Sequence, residues 1–143
     1  MEILIGKELY EKILPSIENA KNSIYIMVFD WRWYVNGVGS YVQNFNQAIV
    51  RAVRRGVKVK ALVNNDKIRN IVENLGVECK RVSTHRILHC KVMIIDEEVA
   101  FVGSHNYTEP ALTTNYEVSV MIKGRENISR LIEFFNNLYE SIS

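Results

Sequence analysis

Apolar positions along the chain switch repeatedly between helical and strand spacing. The first helical set is Leu9, Ile13, Ile17 and Ala20, one face of a 3.6-residue period. Pro15 lies inside it and predicts a kink or a fresh turn. Residues 24–29 form a short, bounded apolar run, which predicts a buried strand. Helical spacing returns over 40–55 through Val42, Phe45, Ala48, Ile49, Ala52 and Val53. That segment ends on Arg54, Arg55 and Gly56, where cations and a glycine suit a helix C-terminus.

Residues 57–63 alternate apolar and basic side chains as a strand does. A helix is predicted over 66–75, closed by Gly76, then a short strand over 77–82. Residues 87–95 predict a strand that turns at Asp96, Glu97 and Glu98 and returns over 99–102 as a hairpin. A last strand at 116–122 precedes a helix over 126–139 with Ile128, Leu131, Ile132, Phe135 and Leu138 on one face. Strands alternating with helices, plus one hairpin, predict an α/β sandwich around a mixed central sheet flanked by helices. With no repeat, linker or low-complexity segment, residues 1–143 are expected to be a single domain.

Composition changes this picture little. Hydrophobic residues make up 48% and charged residues 24%, an ordinary globular mixture. The net charge of +2 permits an anionic partner without demanding one. The start of the chain lacks the pattern of a secretory signal, and no apolar run approaches the roughly 20 residues a bilayer span needs. Cys79 and Cys90 make no zinc-finger or CxxC spacing. The expectation is a cytoplasmic protein with reduced thiols, no membrane span, no metal and no cofactor.

Candidate chemistry is concentrated in His89-Cys90-Lys91-Val92-Met93-Ile94-Ile95-Asp96 and Gly103-Ser104-His105-Asn106. On a strand, His89 and Lys91 share a face while Cys90 opposes them. Ser104 and Asn106 repeat that spacing where the returning strand ends. A hairpin therefore brings an imidazole, an ammonium, a hydroxyl and a carboxamide to one small site, a set suited to a phosphodiester. A histidine alone on an apolar strand is more often a satisfied core residue; the companion residues favour function here.

The pattern His89-x-Lys91-x4-Asp96-x6-Gly103-Ser104-x-Asn106 resembles the HKD signature of the phospholipase D superfamily. The upstream Arg55-Gly56-Val57-Lys58-Val59 and the downstream Asn115-x-Glu117 are also similar to that family, so the resemblance runs from about Ser16 to Gly124. It implies a phospholipase D-like fold and a two-step reaction in which one histidine attacks phosphorus and a second protonates the leaving oxygen. This chain carries one HKD element, so the resemblance implies a homodimer with the active site at the twofold axis. His89 would be nucleophile in one subunit and acid/base in the other. Lys91 and Asn106 would hold phosphate oxygens, Ser104 would donate to the phosphate or to a neighbouring catalytic group, and Glu117 would orient an imidazole. Asp96 and Gly103 would be structural.

Arg81 and Arg86, with His85, lie in a basic stretch before the motif; it is either a solvated loop or a substrate-phosphate contact. Trp31, Trp33 and Tyr34, with Arg32 among them, suit base stacking or a dimer interface. Arg81, Arg86, Trp31 and Trp33 are therefore candidate substrate-binding residues. Arg51, Arg54, Arg55, Lys58 and Lys60 read as a solvated helix end and strand edge, Cys90 as a small buried hydrophobe, and His105 as structural or exposed. The expected activity is metal-independent phosphodiester hydrolysis, with DNA or RNA as substrate. The rivals are a soluble phospholipase D-like lipid hydrolase or transferase and a nonenzymatic dimeric nucleic-acid-binding module.

Overall fold

The computed structural model describes residues 1–34, 40–83 and 85–143. Its elements are β1 (Glu2–Ile5), α1 (Glu8–Glu18), β2 (Ser23–Met27), α2 (Tyr41–Arg54), β3 (Lys58–Val63), α3 (Asp66–Asn74), β4 (Glu78–Arg81), β5 (Val92–Ile95), β6 (Val99–Gly103), α4 (Glu109–Thr113), β7 (Val118–Lys123) and α5 (Arg125–Glu140). All seven strands share one sheet in the order β1-β7-β6-β5-β2-β3-β4. β2, β3 and β4 run parallel, and the remaining pairings are antiparallel. The architecture is the mixed α/β sandwich that the apolar spacing predicts.

Strand alternation builds two cores, one on each face. Ile24, Ile26, Met93, Ile95 and Phe101 face one side, where α1 contributes Ile13 and Ile17, α2 Phe45 and Ile49, and α3 Ile68 and Val72. Met27, Leu62, Val92, Ile94 and Ala100 face the other, covered by Ile128 and Phe135 of α5. A strand buried on both faces needs an unbroken apolar run, which explains Ile24 to Val28 and Val92 to Ile95. No helix among the described residues is long and apolar enough to cross a membrane.

Several local expectations change. The helix α1 runs through Pro15 without ending. The strand predicted over 87–95 begins only at Val92, so His89 and Lys91 sit on irregular backbone ahead of it. The edge strand β1 and the short helix α4 carry too few residues to show a period in the sequence. The acidic turn after β5 places Asp96 and Glu97 at φ +55°, a left-handed pair that a tight hairpin tolerates. Basic residues of the α2–β3 region partly serve the fold: Arg55 donates to the carbonyls of Ile17 and Ala20, and Arg51 pairs with Glu18 at 3.1 Å.

Candidate active site

Although His89 and Lys91 stand outside the ladder, their side chains meet, with Lys91 Nζ 3.3 Å from His89 Nδ1. The Phe29 ring, just past the end of β2, lies against the imidazole at 4.9 Å between centroids. Lys91 Nζ sits 5.5 Å from the centre of that ring. His89 is exposed, and Lys91 is half-buried. The Gly103 N–H donates to the Lys91 carbonyl at 3.3 Å, which brings the end of β6 beside this pair.

At Gly103 the chain passes very close to β7. A Cβ there would collide with the backbone and hydroxyl of Ser119 and come within 2.5 Å of the Val118 carbonyl. This close approach delivers Ser104 to Glu117, where its hydroxyl donates to Oε1 at 2.5 Å and accepts from the Val118 N–H at 3.0 Å. Glu117 Oε2 accepts from Asn115 Nδ2 at 3.1 Å. Within the chain, the Glu117 carboxylate thus holds Ser104 and Asn115 rather than the His89 ring. Asn106 Oδ1 accepts from the Asp30 N–H at 3.1 Å, which assigns the oxygen to the backbone and keeps the amide's two N–H donors from that contact.

Two grooves border these residues. One, of about 330 Å³, is lined by Asp30, Arg32, Asn106, Asn115 and Glu117 among others. The second, of about 420 Å³, runs from His89 past Arg86, Ile87, Phe134 and Leu138 and is mostly apolar. Among the described residues, no three His, Cys, Asp or Glu side chains gather as a metal-binding set.

The intervening motif residues serve the frame. The Asp96 carboxylate accepts from the backbone N–H groups of Lys21, Asn22 and Ser23, clamping the hairpin turn to the start of β2. His105 is 1% exposed, with Nδ1 2.6 Å from Ser119 Oγ and Nε2 2.9 Å from the Gly6 carbonyl. Burial lowers its pKa, opposed by the Gly6 carbonyl and the Glu117 carboxylate. Cys90 is half-buried against the α5 core, and desolvation pushes its thiol pKa up.

Two substrate-binding expectations need correction. Trp31 is 4% exposed; its indole N–H donates to Asn46 Oδ1 at 2.8 Å and its ring packs against Tyr107. It is a core residue, closed to bases and to a partner chain alike, because its indole packs between Asn46 of α2 and Tyr107. Trp33 packs half-buried against the same core and edges a groove beside α3. Arg81 lies on the edge strand β4 with Nε 3.1 Å from Asp66 Oδ1, an oxygen it shares with Arg69 of α3. Of Arg81 and Arg86, Arg86 is the one lining the groove that contains His89.

Phe29 and Asn64 are neighbours of the motif that the sequence reading missed. Phe29 reads as the last residue of an apolar run, and Asn64 as a loop residue after a strand. Asn64 also caps the gap between the β2 and β5 ends, hydrogen-bonding to Phe29 and Leu88. Only their proximity to His89 in space sets them apart.

Comparison with known proteins bears on the fold and the family. Nuc from Salmonella typhimurium, a phospholipase D family member, superimposes with a TM-score of 0.82 at 24% identity, over 99% of this chain and 96% of that one. TrmBL2, an archaeal chromatin protein described as having a novel mode of DNA binding, superimposes with a TM-score of 0.65 at 24% identity, over 99% of this chain and 52% of that one. At these identities the likeness is one of fold. Cardiolipin synthase B of Shigella flexneri is 24% identical over 127 residues, covering 76% of this chain and 30% of the synthase. The chain spans between about a quarter and three fifths of the length of the curated relatives it matches. A family model described as cardiolipin synthase, PLD-like domain, matches residues 13–139, nearly the whole chain. The chain belongs to the phospholipase D superfamily.

Proposed function

We propose that the protein is a metal-independent phosphodiesterase that hydrolyses DNA or RNA through a covalent phosphohistidine, at a site shared by two subunits on a twofold axis. The observation that carries this reading is the exposed His89 imidazole with the Lys91 ammonium 3.3 Å away, present once per chain. A phosphate oxygen draws Lys91 off the ring, and Asn106 supplies neutral donors beside it. Within its own chain Glu117 holds Ser104 and Asn115, so its role in this reading is exerted across the twofold axis, where it accepts a hydrogen bond from His89 Nδ1–H of the other subunit and leaves the Nε2 lone pair free to attack. The N–P bond forms as the P–O ester bond breaks, and the imidazolium of His89 of the partner subunit gives its proton to the leaving oxygen. Water then attacks phosphorus, the N–P bond breaks, and that imidazole takes the water proton back.

Nucleic acid is favoured by Arg86, a cation lining the groove that contains His89, and by the DNA binding described for the similarly folded TrmBL2. A second reading is a lipid phosphodiester, favoured by the apolar groove of Ile87, Phe134 and Leu138 that runs from His89 and could take an acyl chain. A third is a nonenzymatic nucleic-acid-binding module.

The deciding experiment is cleavage of labelled single- and double-stranded DNA and RNA in EDTA, comparing wild type with His89→Ala. EDTA-resistant cleavage that the variant loses supports the nuclease. Headgroup release from phospholipid micelles without oligonucleotide cleavage selects the lipid reading. Nucleic-acid binding equal in both forms, with no cleavage of either substrate, selects the binding module.

A further inference from the structure

Past the paired ends of β2 and β5, the sheet no longer explains where His89 sits. β2 ends at Met27 and β5 begins at Val92, yet Phe29 and His89 lie beyond those ends and still touch. Asn64, the residue after β3, spans this gap. Its Oδ1 accepts from the Leu88 N–H at 3.0 Å, and its Nδ2 donates to the Leu88 carbonyl at 2.8 Å. The same Nδ2 donates to the Phe29 carbonyl at 3.1 Å. One side chain thus satisfies both backbone groups of the residue before His89, as a neighbouring strand would, and ties them to the residue whose ring meets the imidazole.

The chemistry singles out a carboxamide. Asn offers an acceptor and two donors on a short stem. Asp has the same shape, but it would lose the donors and set a negative charge against two carbonyl oxygens. Ala would leave the Leu88 N–H and C=O without these partners.

We propose that Asn64 is a positioning residue for His89, acting as a surrogate ladder rung that holds the imidazole where it meets Lys91 and the phosphodiester. This rests on the reading of His89 as the reacting group. Asn64 contacts the backbone rather than the substrate, so its loss displaces the nucleophile without removing a substrate contact. The effect therefore falls on kcat and spares KM.

The test pairs cleavage kinetics with NMR of ¹³C-histidine-labelled protein, which has three imidazole signals, from His85, His89 and His105. In Asn64→Ala, kcat should fall about 10- to 100-fold with KM within about threefold. The His89 signal should shift or broaden while the His105 signal keeps its place. If Asn64→Ala does not fold, Asn64→Asp is read instead, since it keeps the acceptor for Leu88 and loses both donors. An unmoved His89 signal, three signals moving together, or a rise in KM at unchanged kcat would each overturn the proposal. If the wild type cleaves no phosphodiester, the functional reading fails, and the imidazole signals alone still decide what holds His89.

Discussion

Ser104 donates its hydroxyl proton to Glu117 Oε1 at 2.5 Å while accepting from the Val118 N–H at 3.0 Å. A serine has one proton to give, so in this arrangement none is left for a phosphate oxygen. Ser104 thus bears on the chemistry through Glu117.

Glu117→Gln keeps the shape and an acceptor for Ser104 but loses the charge that would hold an imidazole proton. It should lower kcat about 10²-fold with little change in thermal stability. Ser104→Ala should cost about tenfold, the value of one charge-assisted hydrogen bond. Steady-state cleavage of an oligonucleotide checks both; a Gln variant as active as wild type would confine Glu117 to the scaffold.

The Asp96 carboxylate gathers three backbone N–H groups at the start of β2, from Lys21, Asn22 and Ser23. In Asp96→Ala those donors lose their acceptor, at a cost of about 2 kcal/mol given their partial exposure. Urea unfolding should show a lower midpoint at unchanged slope, and kcat per folded molecule should stay near wild type. A loss of turnover beyond the loss of folded protein would place Asp96 in the chemistry.

His105 gives stability a pH dependence with a definite sign. Burial depresses its folded pKa below the ordinary value of 6.5, against the pull of the Gly6 carbonyl and Glu117. The unfolded chain therefore takes up the proton first as pH falls. Its stabilising contribution is complete above about pH 6.5 and is lost as pH drops through the lower folded value. Denaturation midpoints between pH 8 and 5 should fall more steeply for wild type than for His105→Gln; parallel curves would contradict this.

Mixed subunits test the shared site. If each turnover needs both histidines, a dimer of one wild-type and one His89→Ala chain is inactive. An equal mixture, dissociated and reassembled, should then retain about a quarter of wild-type activity, the random share of fully wild-type dimers. Retention of about half would mean that each subunit works with its own histidine.

Much of the site was legible because its residues are close in sequence. His89 and Lys91 directly precede the hairpin of β5 and β6, and Ser104 and Asn106 directly follow it, so the hairpin brings its two ends together. The structural role of Asp96 could be suspected from its place at the turn, but its three donors come from 73 to 75 residues away. Trp31 misled for the same reason. An aromatic beside a cation at a strand end looks like a binding surface, and its burial depends on Asn46 of α2, 15 residues on.

The amino-acid sequence by itself determined the alternation of the longer strands and helices, the burial of β2, and the grouping of the HKD residues. These follow from local period, turn chemistry and short-range spacing. Tertiary structure decided what those properties cannot reach: that Trp31 and His105 are interior, that Arg81 and Arg69 share Asp66, and that Glu117 holds Ser104. It also decided that His89 stands beyond the sheet's own ladder, beside an amide from the end of β3. The physical reason is that a hydrogen bond between distant segments leaves no period in the sequence. Its two ends become neighbours only once the sheet order β6-β5-β2-β3 has formed.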